Sequence, residues 1–326
     1  MKLTVRVEEW PYVTPFRITD YVFTGAEVVV VTLDDGGLTG RGEGNGVYYH
    51  GETPDSIVRD VESVRGAIEA GVSREAVQSL LLPGGARNAL DCALWELDAK
   101  RAGKSVRELA GLPSLRPLLT TFTVSAGTPE DMAATAKSYT DARAVKVKLT
   151  PENTADCIRA VRAACPDVWL GVDANRGFTR ASLEALMPVL KGCDVSLIEQ
   201  PFALGHDGDL EGFQRSIPIA ADESVQSSGD LKAMVGLYDA INIKLDKCGG
   251  LTEGLHMARE ARKLGFKVMV GCMSGTSLAM APAFVLGQLC DIVDLDAPMF
   301  LARDRERAVR YAHGELFCPE ALWGGV

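Results

Sequence analysis

The amino-acid sequence predicts an α/β protein, a (β/α)8 barrel with an N-terminal α+β capping domain that is completed by the C-terminal tail. From about residue 117, short apolar strands alternate with amphipathic or small-residue segments. Such alternation indicates parallel strands buried on both faces, and eight units of this kind close into a barrel. A doubly wound open sheet is the competing fold, but no glycine-rich phosphate-binding sequence opens a first helix. The eight predicted strands are 118–124, 144–149, 169–173, 196–199, 217–221, 240–244, 267–272 and 292–296.

Residues 1–112 have a different pattern and form the predicted capping domain. Apolar and polar residues alternate over residues 3–8, which is typical of a half-buried strand. Residues 86–100 carry an apolar stripe at helical spacing. We expect the barrel to occupy residues 113–300 and the final segment, 301–326, to return to the capping domain.

Charge and composition exclude several classes of partner. The chain has 34 basic and 44 acidic residues, and its net charge of -10 argues against binding to a nucleic-acid backbone. Its eight cysteines show no CxxC spacing, so free thiols in a reducing cytoplasm are favoured. The 23 uncharged residues between Lys267 and Asp291 are interrupted by Gly, Ser, Pro and Gln, and we interpret them as a buried strand and helix. Since the N-terminus also lacks a signal-peptide core, we expect a cytoplasmic protein without a membrane partner, acting on a small molecule.

Three acidic residues end consecutive predicted strands. Asp173, Glu199 and Asp222 are separated by 26 and 23 residues, one β/α unit each, so we expect them to meet at the barrel mouth where such enzymes carry catalytic groups. Three close carboxylates repel each other unless a cation lies between them. Oxygen ligands without cysteine or histidine favour Mg²⁺, with Mn²⁺ as a substitute, over zinc. The alternative is that each acid only caps the helix that follows it, which explains one acid better than three in register.

Three lysines lie on strands of the same predicted sheet. Lys146 and Lys148 are two residues apart, so both point to the same side of their strand, and Lys244 ends a strand four units later, across the barrel. Two ammonium groups that face each other over a metal suit removal of the proton α to a carboxylate and its return to the opposite face. We expect the metal to lower the pKa of the base. The alternative, solvated surface lysines, is weakened by the three carboxylates.

These residues lie in short sequence strings that together resemble the enolase superfamily. The resemblance extends over essentially the whole chain. Within the superfamily, the chain most resembles the muconate-lactonising subgroup, and in that subgroup the dipeptide epimerases of the L-Ala-D/L-Glu epimerase type. The strings are KVK at 146–148, DAN at 173–175, EQP at 199–201, DES at 222–224, NIKLDKCGG at 242–250 and ARNALDCALWEL at 86–97.

The resemblance implies a role for each matching residue. The implied Mg²⁺ ligands are Asp173, Glu199 and Asp222, and the implied acid/base catalysts are Lys148 and Lys244. Lys146 is implied to lie beside the substrate carboxylate. The other residues implied to contact substrate are Thr123, Cys272, Asp294 and Asp296. In dipeptide epimerases an aspartate of this Asp-x-Asp pair receives the α-ammonium group of the substrate. Asn175 and Glu223 adjoin the ligands and are implied to support them.

The capping domain departs from the pattern of relatives that act on Ala-Glu. Those relatives offer an arginine near residues 15–25, where this chain has Phe23 or Tyr21. Arg17 lies several residues earlier and is the alternative cation. We therefore expect apolar or basic C-terminal residues to be preferred over glutamate.

The favoured interpretation is an isomerase, a Mg²⁺-dependent epimerase of the C-terminal residue of a dipeptide. It would act by two-base 1,1-proton transfer through an enediolate. The same residues suit an N-acylamino acid racemase, for example of N-acetyl-glutamate, and less well an o-succinylbenzoate synthase or a non-catalytic binding barrel. The sequence leaves open the substrate, the physiological direction and association into a homo-oligomer.

Overall fold

The N-terminal region combines a three-stranded antiparallel sheet with five helices in the computed structural model, which describes residues 1–152 and 154–325. The strands, in sheet order, are β1 (Lys2–Arg17), β2 (Val22–Asp35) and β3 (Leu38–Gly44). A 3-10 turn at Tyr48–His50 leads to the helices α1 (Pro54–Ser63), α2 (Arg65–Glu69), α3 (Arg74–Leu80), α4 (Gly85–Ala102) and α5 (Val106–Leu109).

Helix α4 packs directly on β3 because every second residue of that strand is glycine. Gly40, Gly42 and Gly44 share one face of the strand. A Cβ atom on Gly42 would lie 2.0 Å from the carbonyl oxygen of Ala89, inside α4. The glycines therefore set the close helix–strand approach that forms the core of this region.

Eight parallel strands form the central sheet, and they neighbour one another in chain order. After the two-residue strand β4 (Leu118–Leu119), they are β5 (Phe122–Val124), β6 (Ala144–Lys148), β7 (Trp169–Asp173), β8 (Val195–Glu199), β9 (Ile219–Ala221), β10 (Ala240–Lys244), β11 (Lys267–Gly271) and β12 (Ile292–Val293). The backbone N–H of Thr121, just before β5, donates to the carbonyl of Val293 in β12 at 3.0 Å, which joins the last strand to the first. The predicted barrel is confirmed.

Helices follow most of the barrel strands. They are α6 (Pro129–Ser138), α7 (Thr154–Ala164), α8 (Arg180–Gly192), α9 (Leu245–Cys248), α10 (Leu251–Lys263) and α11 (Ser277–Gly287). After β8, β9 and β12 the chain forms 3-10 turns instead, at Asp207–Leu210, Ser228–Met234 and Ala297–Phe300. No helix within the described ranges is long and apolar enough to cross a membrane.

Three predicted strands differ from the observed ones by more than one residue. The strand predicted over 118–124 is two strands, because Leu118–Leu119 leaves the barrel to pair with β14 (Glu315–Phe317), which in turn pairs with β13 (Arg310–Ala312). The strand predicted from residue 217 begins after Pro218, which has no N–H to donate. The strand predicted over 292–296 ends at Val293.

The C-terminal residues contact the N-terminal region through backbone groups. The indole N–H of Trp323 donates to the carbonyl of Arg41 at 2.8 Å, and the Arg41 guanidinium donates to the carbonyl of Leu322 at 2.5 Å. The Val106 N–H donates to the carbonyl of Gly324 at 2.7 Å. These contacts join the tail to β3 and to the start of α5.

Buried polar contacts hold the end of β3 against the barrel mouth. Glu43 accepts hydrogen bonds from the Thr276 N–H at 2.7 Å and from the Arg305 guanidinium at 2.7 Å. The Asn45 N–H donates to Asp246 Oδ1 at 2.9 Å, and Asp246 also accepts from Asn88 of α4 at 2.7 Å. The loop after β3 is therefore fixed over the carboxyl ends of the barrel strands.

A glycine-to-alanine pair tests the packing of β3 on α4. Gly42→Ala should lower the free energy of unfolding by about 1–3 kcal/mol or more, since the new methyl group overlaps the Ala89 carbonyl. Gly66→Ala in α2 is the control, because no atom lies within 4 Å of the added Cβ. There we expect no loss and a gain of up to about 1 kcal/mol from helix propensity. Urea denaturation of both variants checks this, and equal stability would contradict the packing argument.

Candidate active site

The predicted ionisable residues come together at one end of the barrel. Each lies in a strand or directly after one, and each is at most 7% exposed. They are Lys146 and Lys148 in β6, Asp173 ending β7, Glu199 ending β8, Asp222 following β9 and Lys244 ending β10. This position follows from the parallel sheet, in which the carboxyl ends of all strands meet at one edge.

Each lysine contacts one of the acids directly. Lys148 Nζ donates to Asp173 Oδ2 at 2.6 Å, and Lys244 Nζ donates to Asp222 Oδ2 at 2.7 Å. Lys146 Nζ lies 3.2 Å from Glu199 Oε2 and 3.8 Å from Asp173 Oδ2. Because Lys146 and Lys148 both reach Asp173, they point to the same side of β6, as their spacing predicts.

Lys148 and Lys244 face a common space from opposite sides of the barrel. Their strands, β6 and β10, are four apart in a ring of eight. Both side chains line a cavity of about 300 Å³ that reaches up to the N-terminal region, and both line an adjoining cavity of about 70 Å³. A small molecule that spans the two cavities would have one ammonium group on each side.

Burial and acidic neighbours act in opposite directions on the pKa values of two of the lysines. Burial lowers the pKa of Lys244, but Asp222, Glu199 and Glu223 outweigh burial and raise it well above its ordinary value. The same balance, dominated by Asp294, Glu199 and Asp173, raises the pKa of Lys146. The carboxylates that cause both shifts include the candidate cation ligands Asp173, Glu199 and Asp222.

The carboxylates have the electrostatic character of a cation site. Burial and the neighbouring Asp173 raise the pKa of Glu199 above its usual range, and burial and Asp222 do the same to Glu223. Two buried oxygens beside them, Glu223 Oε2 and Asn175 Oδ1, have no hydrogen-bond partner among the described residues. Closely spaced hard oxygen donors with unmet acceptors fit a divalent cation such as Mg²⁺.

The acids are not arranged around a common point as they stand. Within the described ranges, no three acidic, histidine or cysteine side chains form a group that could hold an ion directly. Ammonium groups contact the same oxygens instead, and Asp222 accepts from Lys247 as well as from Lys244. The oxygens that would coordinate a cation are thus the ones that pair with lysines.

The sequence analysis did not identify three polar residues that form hydrogen bonds with the acids. Asn242, two residues before Lys244 on β10, donates to Glu199 Oε1 at 2.7 Å, and buried Lys247 donates to Asp222 Oδ1 at 2.6 Å. Gln200 accepts from the Asp222 N–H at 2.8 Å and has a φ of 34°, a costly conformation for a residue other than glycine. The spacing of two residues between Asn242 and Lys244 places both on the same side of β10, but no sequence pattern shows which acid Asn242 or Lys247 contacts.

The predicted Asp-x-Asp pair lies between the last strand and the first. Asp294 contacts the Lys146 ammonium and accepts from the Thr121 hydroxyl at 2.5 Å. Asp296 accepts from the Thr123 N–H at 2.5 Å but has no ion pair with a basic residue in the described part of the chain. Burial and the neighbouring Asp294 raise the pKa of Asp296. Asp296 is therefore a buried acid, lining the smaller cavity, that a cationic group would stabilise.

Four further predicted residues either line a cavity or form contacts beside the acids. Thr123 and Cys272 line the smaller cavity. The Asn175 N–H donates to Asp173 Oδ1 at 2.8 Å, and Glu223 pairs with Arg176 at 3.3 Å.

Of the two capping-domain residues predicted to contact substrate, one lines a cavity and the other does not. Phe23 lines the larger cavity. Arg17 is exposed, its backbone N–H donates to Ser125 Oγ at 2.7 Å, and its side chain is not among the described residues that line either cavity.

Two family models match most of the chain. The description "Mandelate racemase / muconate lactonizing enzyme, N-terminal domain" matches residues 1–111, and "Enolase C-terminal domain-like" matches residues 131–321. An L-Ala-D/L-Glu epimerase of Escherichia coli is 42% identical over 317 residues, which cover 96% of this chain and 99% of that protein. An N-acetyl-D-glutamate racemase of a Pseudoalteromonas species is 41% identical over 74% of this chain and 77% of its own length.

Solved structures resemble the whole chain. An enolase family member from Agrobacterium tumefaciens with homology to dipeptide epimerases, bound to sodium and L-Ala-L-Glu, has a TM-score of 0.96 and 40% identity, with 99% of both chains covered. A dipeptide epimerase from Methylococcus capsulatus, complexed with Mg and L-Arg-D-Lys, has a TM-score of 0.88 and 26% identity, with 98% of both chains covered.

Addition of Mg²⁺ should raise the melting temperature of the chelator-treated protein. A ligand that binds only the folded state at a hundred times its Kd stabilises it by about 2.7 kcal/mol. Asp222→Asn should abolish most of this gain, because it removes one of the three buried acids. Asp156→Asn, at an exposed acid paired with Arg159, is the control and should keep it. Differential scanning calorimetry with and without EDTA measures the effect, and an unchanged gain in Asp222→Asn would exclude this cation site.

Proposed function

Because the chain belongs to the mandelate racemase / muconate lactonizing enzyme family of the enolase superfamily, we propose that it is a dipeptide epimerase, an isomerase that inverts the α-carbon of the C-terminal residue. One observation carries the proposal. Lys148 and Lys244 lie on opposite sides of a shared space, next to an unpaired aspartate, Asp296, that suits a free amino group. The cytoplasmic location and the substitution of Mn²⁺ for Mg²⁺ remain parts of the same proposal.

The residues present fit a divalent cation at the mouth of the barrel. Asp173, Glu199 and Asp222 would hold it, with Asn175 and Glu223 beside them. When bound, Mg²⁺ would neutralise the negative charge that grows on the substrate carboxylate as the α-proton leaves. Lys146, already placed among the acids, would add a fixed positive charge beside that carboxylate.

The direction of the reaction decides which of the two lysines acts as the base and which acts as the acid. One Nζ, as a neutral amine, takes the α-proton from its own side of the substrate. The other, as an ammonium group, delivers a proton to the opposite side, so the α-carbon is inverted with no net change in protons. For the reverse reaction the two lysines act in the opposite order.

The smaller cavity would hold the amino-terminal half of the substrate. Asp296 and Asp294 line it together with Thr123, and an ammonium group there would meet the unpaired Asp296 carboxylate. This contact fixes the peptide so that its α-carbon lies between Lys148 and Lys244. Such positioning accounts for a large part of the rate in reactions of this kind.

A second candidate, N-acylamino acid racemase, uses the same lysines. It is favoured by the similarity to the N-acetyl-D-glutamate racemase. Asp296 counts against it, because an acyl group offers no positive charge to a buried carboxylate. The two candidates therefore differ in what Asp296 contacts.

Single lysine variants test the two-sided arrangement. Lys148→Ala and Lys244→Ala should each lose epimerisation by about a hundred-fold or more, the usual value of a general acid or base. Each variant should still exchange the α-proton of one substrate configuration in deuterium oxide, through the remaining lysine. Mass spectrometry of L,L and L,D dipeptides measures this. Equal residual exchange of both configurations in either variant would refute the arrangement.

Replacement of Asp296 separates the two candidate functions. Asp296→Asn should lower kcat/KM for dipeptides by about ten- to a hundred-fold, because a charge-assisted contact is lost and the ammonium group is left unpaired. N-acetyl amino acids serve as the matched control, since they bring no charge to this position. If N-acetyl-glutamate is the best substrate and the variant leaves it unaffected, the chain is an N-acylamino acid racemase.

A further inference from the structure

The larger cavity extends from the two catalytic lysines to the underside of the capping domain. Its walls near the capping domain are mainly apolar and come from Phe16, Ile18, Phe23, Tyr48 and Met273. If the amino-terminal half of a dipeptide occupies the smaller cavity, the side chain of the epimerised residue extends into this larger one. The cavity therefore selects that side chain.

Apart from the two lysines, the charged residues that line this cavity all have the same sign. Apart from Lys148 and Lys244, the ionisable residues of its lining among the described residues, tyrosine and cysteine excepted, are Glu27 and Glu52. The two lysines already pair with Asp173 and Asp222. Beyond the reaction centre, the charged residues that line the cavity are therefore acidic.

Neither glutamate has an ion pair of its own within the described ranges. Glu27 is an exposed residue of β2, and its neighbour across the sheet is another acid, Glu9. Glu52 is half-buried and accepts N–H groups from Val47 at 2.8 Å and Gly85 at 3.3 Å, which leaves further acceptor positions on its carboxylate. Burial raises the pKa of Glu52 above its ordinary value.

Two arginines of this part of the molecule lie outside the lining of the cavity. Arg17 is exposed, and its described hydrogen bonds are those of its backbone. Arg176 pairs with Glu223 at 3.3 Å and lies 5.2 Å from the ring centre of Tyr49. Neither is therefore placed to neutralise an acidic substrate side chain or to satisfy Glu27 and Glu52.

We propose that the enzyme selects dipeptides whose C-terminal residue carries a basic side chain, lysine or arginine, with Glu27 and Glu52 receiving the charge. The proposal rests on the dipeptide epimerase function. An alkyl chain with a terminal cation matches the cavity, because its methylene groups pack on the aromatic wall while the charged end reaches the acids. A glutamate side chain would instead place a third negative charge beside Glu27 and Glu52.

Substrates that differ only in charge give the first test. Ala-Lys is compared with Ala-norleucine, and Ala-Arg with Ala-citrulline, as pairs of similar shape. The wild-type enzyme should prefer the charged member in kcat/KM by about two- to five-fold, the range of a partly exposed ion pair. Ala-Glu should be slower than Ala-Gln.

Variants at three glutamate positions test whether the preference arises in the cavity. Glu27→Gln and Glu52→Gln should each reduce the Ala-Lys to Ala-norleucine ratio, and the double variant should bring it close to one. Glu9→Gln is the matched control, since it removes the same charge on the adjacent strand from a residue outside the cavity lining, and it should keep the wild-type ratio. Glu27→Lys should raise kcat/KM for Ala-Glu relative to Ala-Gln. The Glu27→Lys variant still tests the proposal if Glu52→Gln destabilises the loop that Glu52 anchors.

The outcomes separate this proposal from the function it rests on. If no dipeptide exchanges its α-proton in deuterium oxide, the dipeptide epimerase function is wrong. If dipeptides exchange but Ala-norleucine equals or exceeds Ala-Lys, only the charge preference is overturned. A preference that persists in the Glu27→Gln, Glu52→Gln double variant would also overturn it, because the charge would then be recognised elsewhere.

Discussion

Eight charged side chains are buried together at the barrel mouth, and their mutual pairing is the interaction on which the site depends. The lysines are Lys146, Lys148, Lys244 and Lys247, and the acids are Asp173, Glu199, Asp222 and Asp294. An isolated ion in such an interior would cost several kcal/mol, so each must have a partner. The strand ends provide these partners, because they bring one ionisable residue after another to the same edge of the sheet. The acid/base groups and the candidate cation ligands are thus a single network.

The capping domain completes the site by covering this network. The alternate glycines of β3 let α4 approach closely, and the polar contacts of Glu43 and Asn45 fix the end of β3 over the mouth. From there the loop with Tyr48 forms the wall opposite Lys148 and Lys244. The barrel accordingly carries the lysines and acids, whereas the capping domain provides most of the apolar wall of the larger cavity.

Relatives of the chain differ in the substrates for which they are named, from Ala-Glu epimerase and N-acetyl-glutamate racemase to an enzyme crystallised with Arg-Lys. This chain offers two adjoining cavities with different linings. Asp296, which has no ion pair among the described residues, lines the smaller cavity, and Glu27 and Glu52 line the larger one.

The sequence alone determined the barrel and the identity of the residues at its mouth. Apolar strands at regular spacing predict parallel pairing, and parallel pairing places Asp173, Glu199 and Lys244 at a common edge whatever the details of packing. Only the tertiary structure decided which groups pair, because those distances join segments far apart in the chain. Lys247 on Asp222, Asn242 on Glu199 and the departure of Leu118–Leu119 to pair with β14 have no local signal. The placement of Arg17 outside the cavity and of Glu27 within its lining likewise depends on how the capping domain docks, which no sequence spacing encodes.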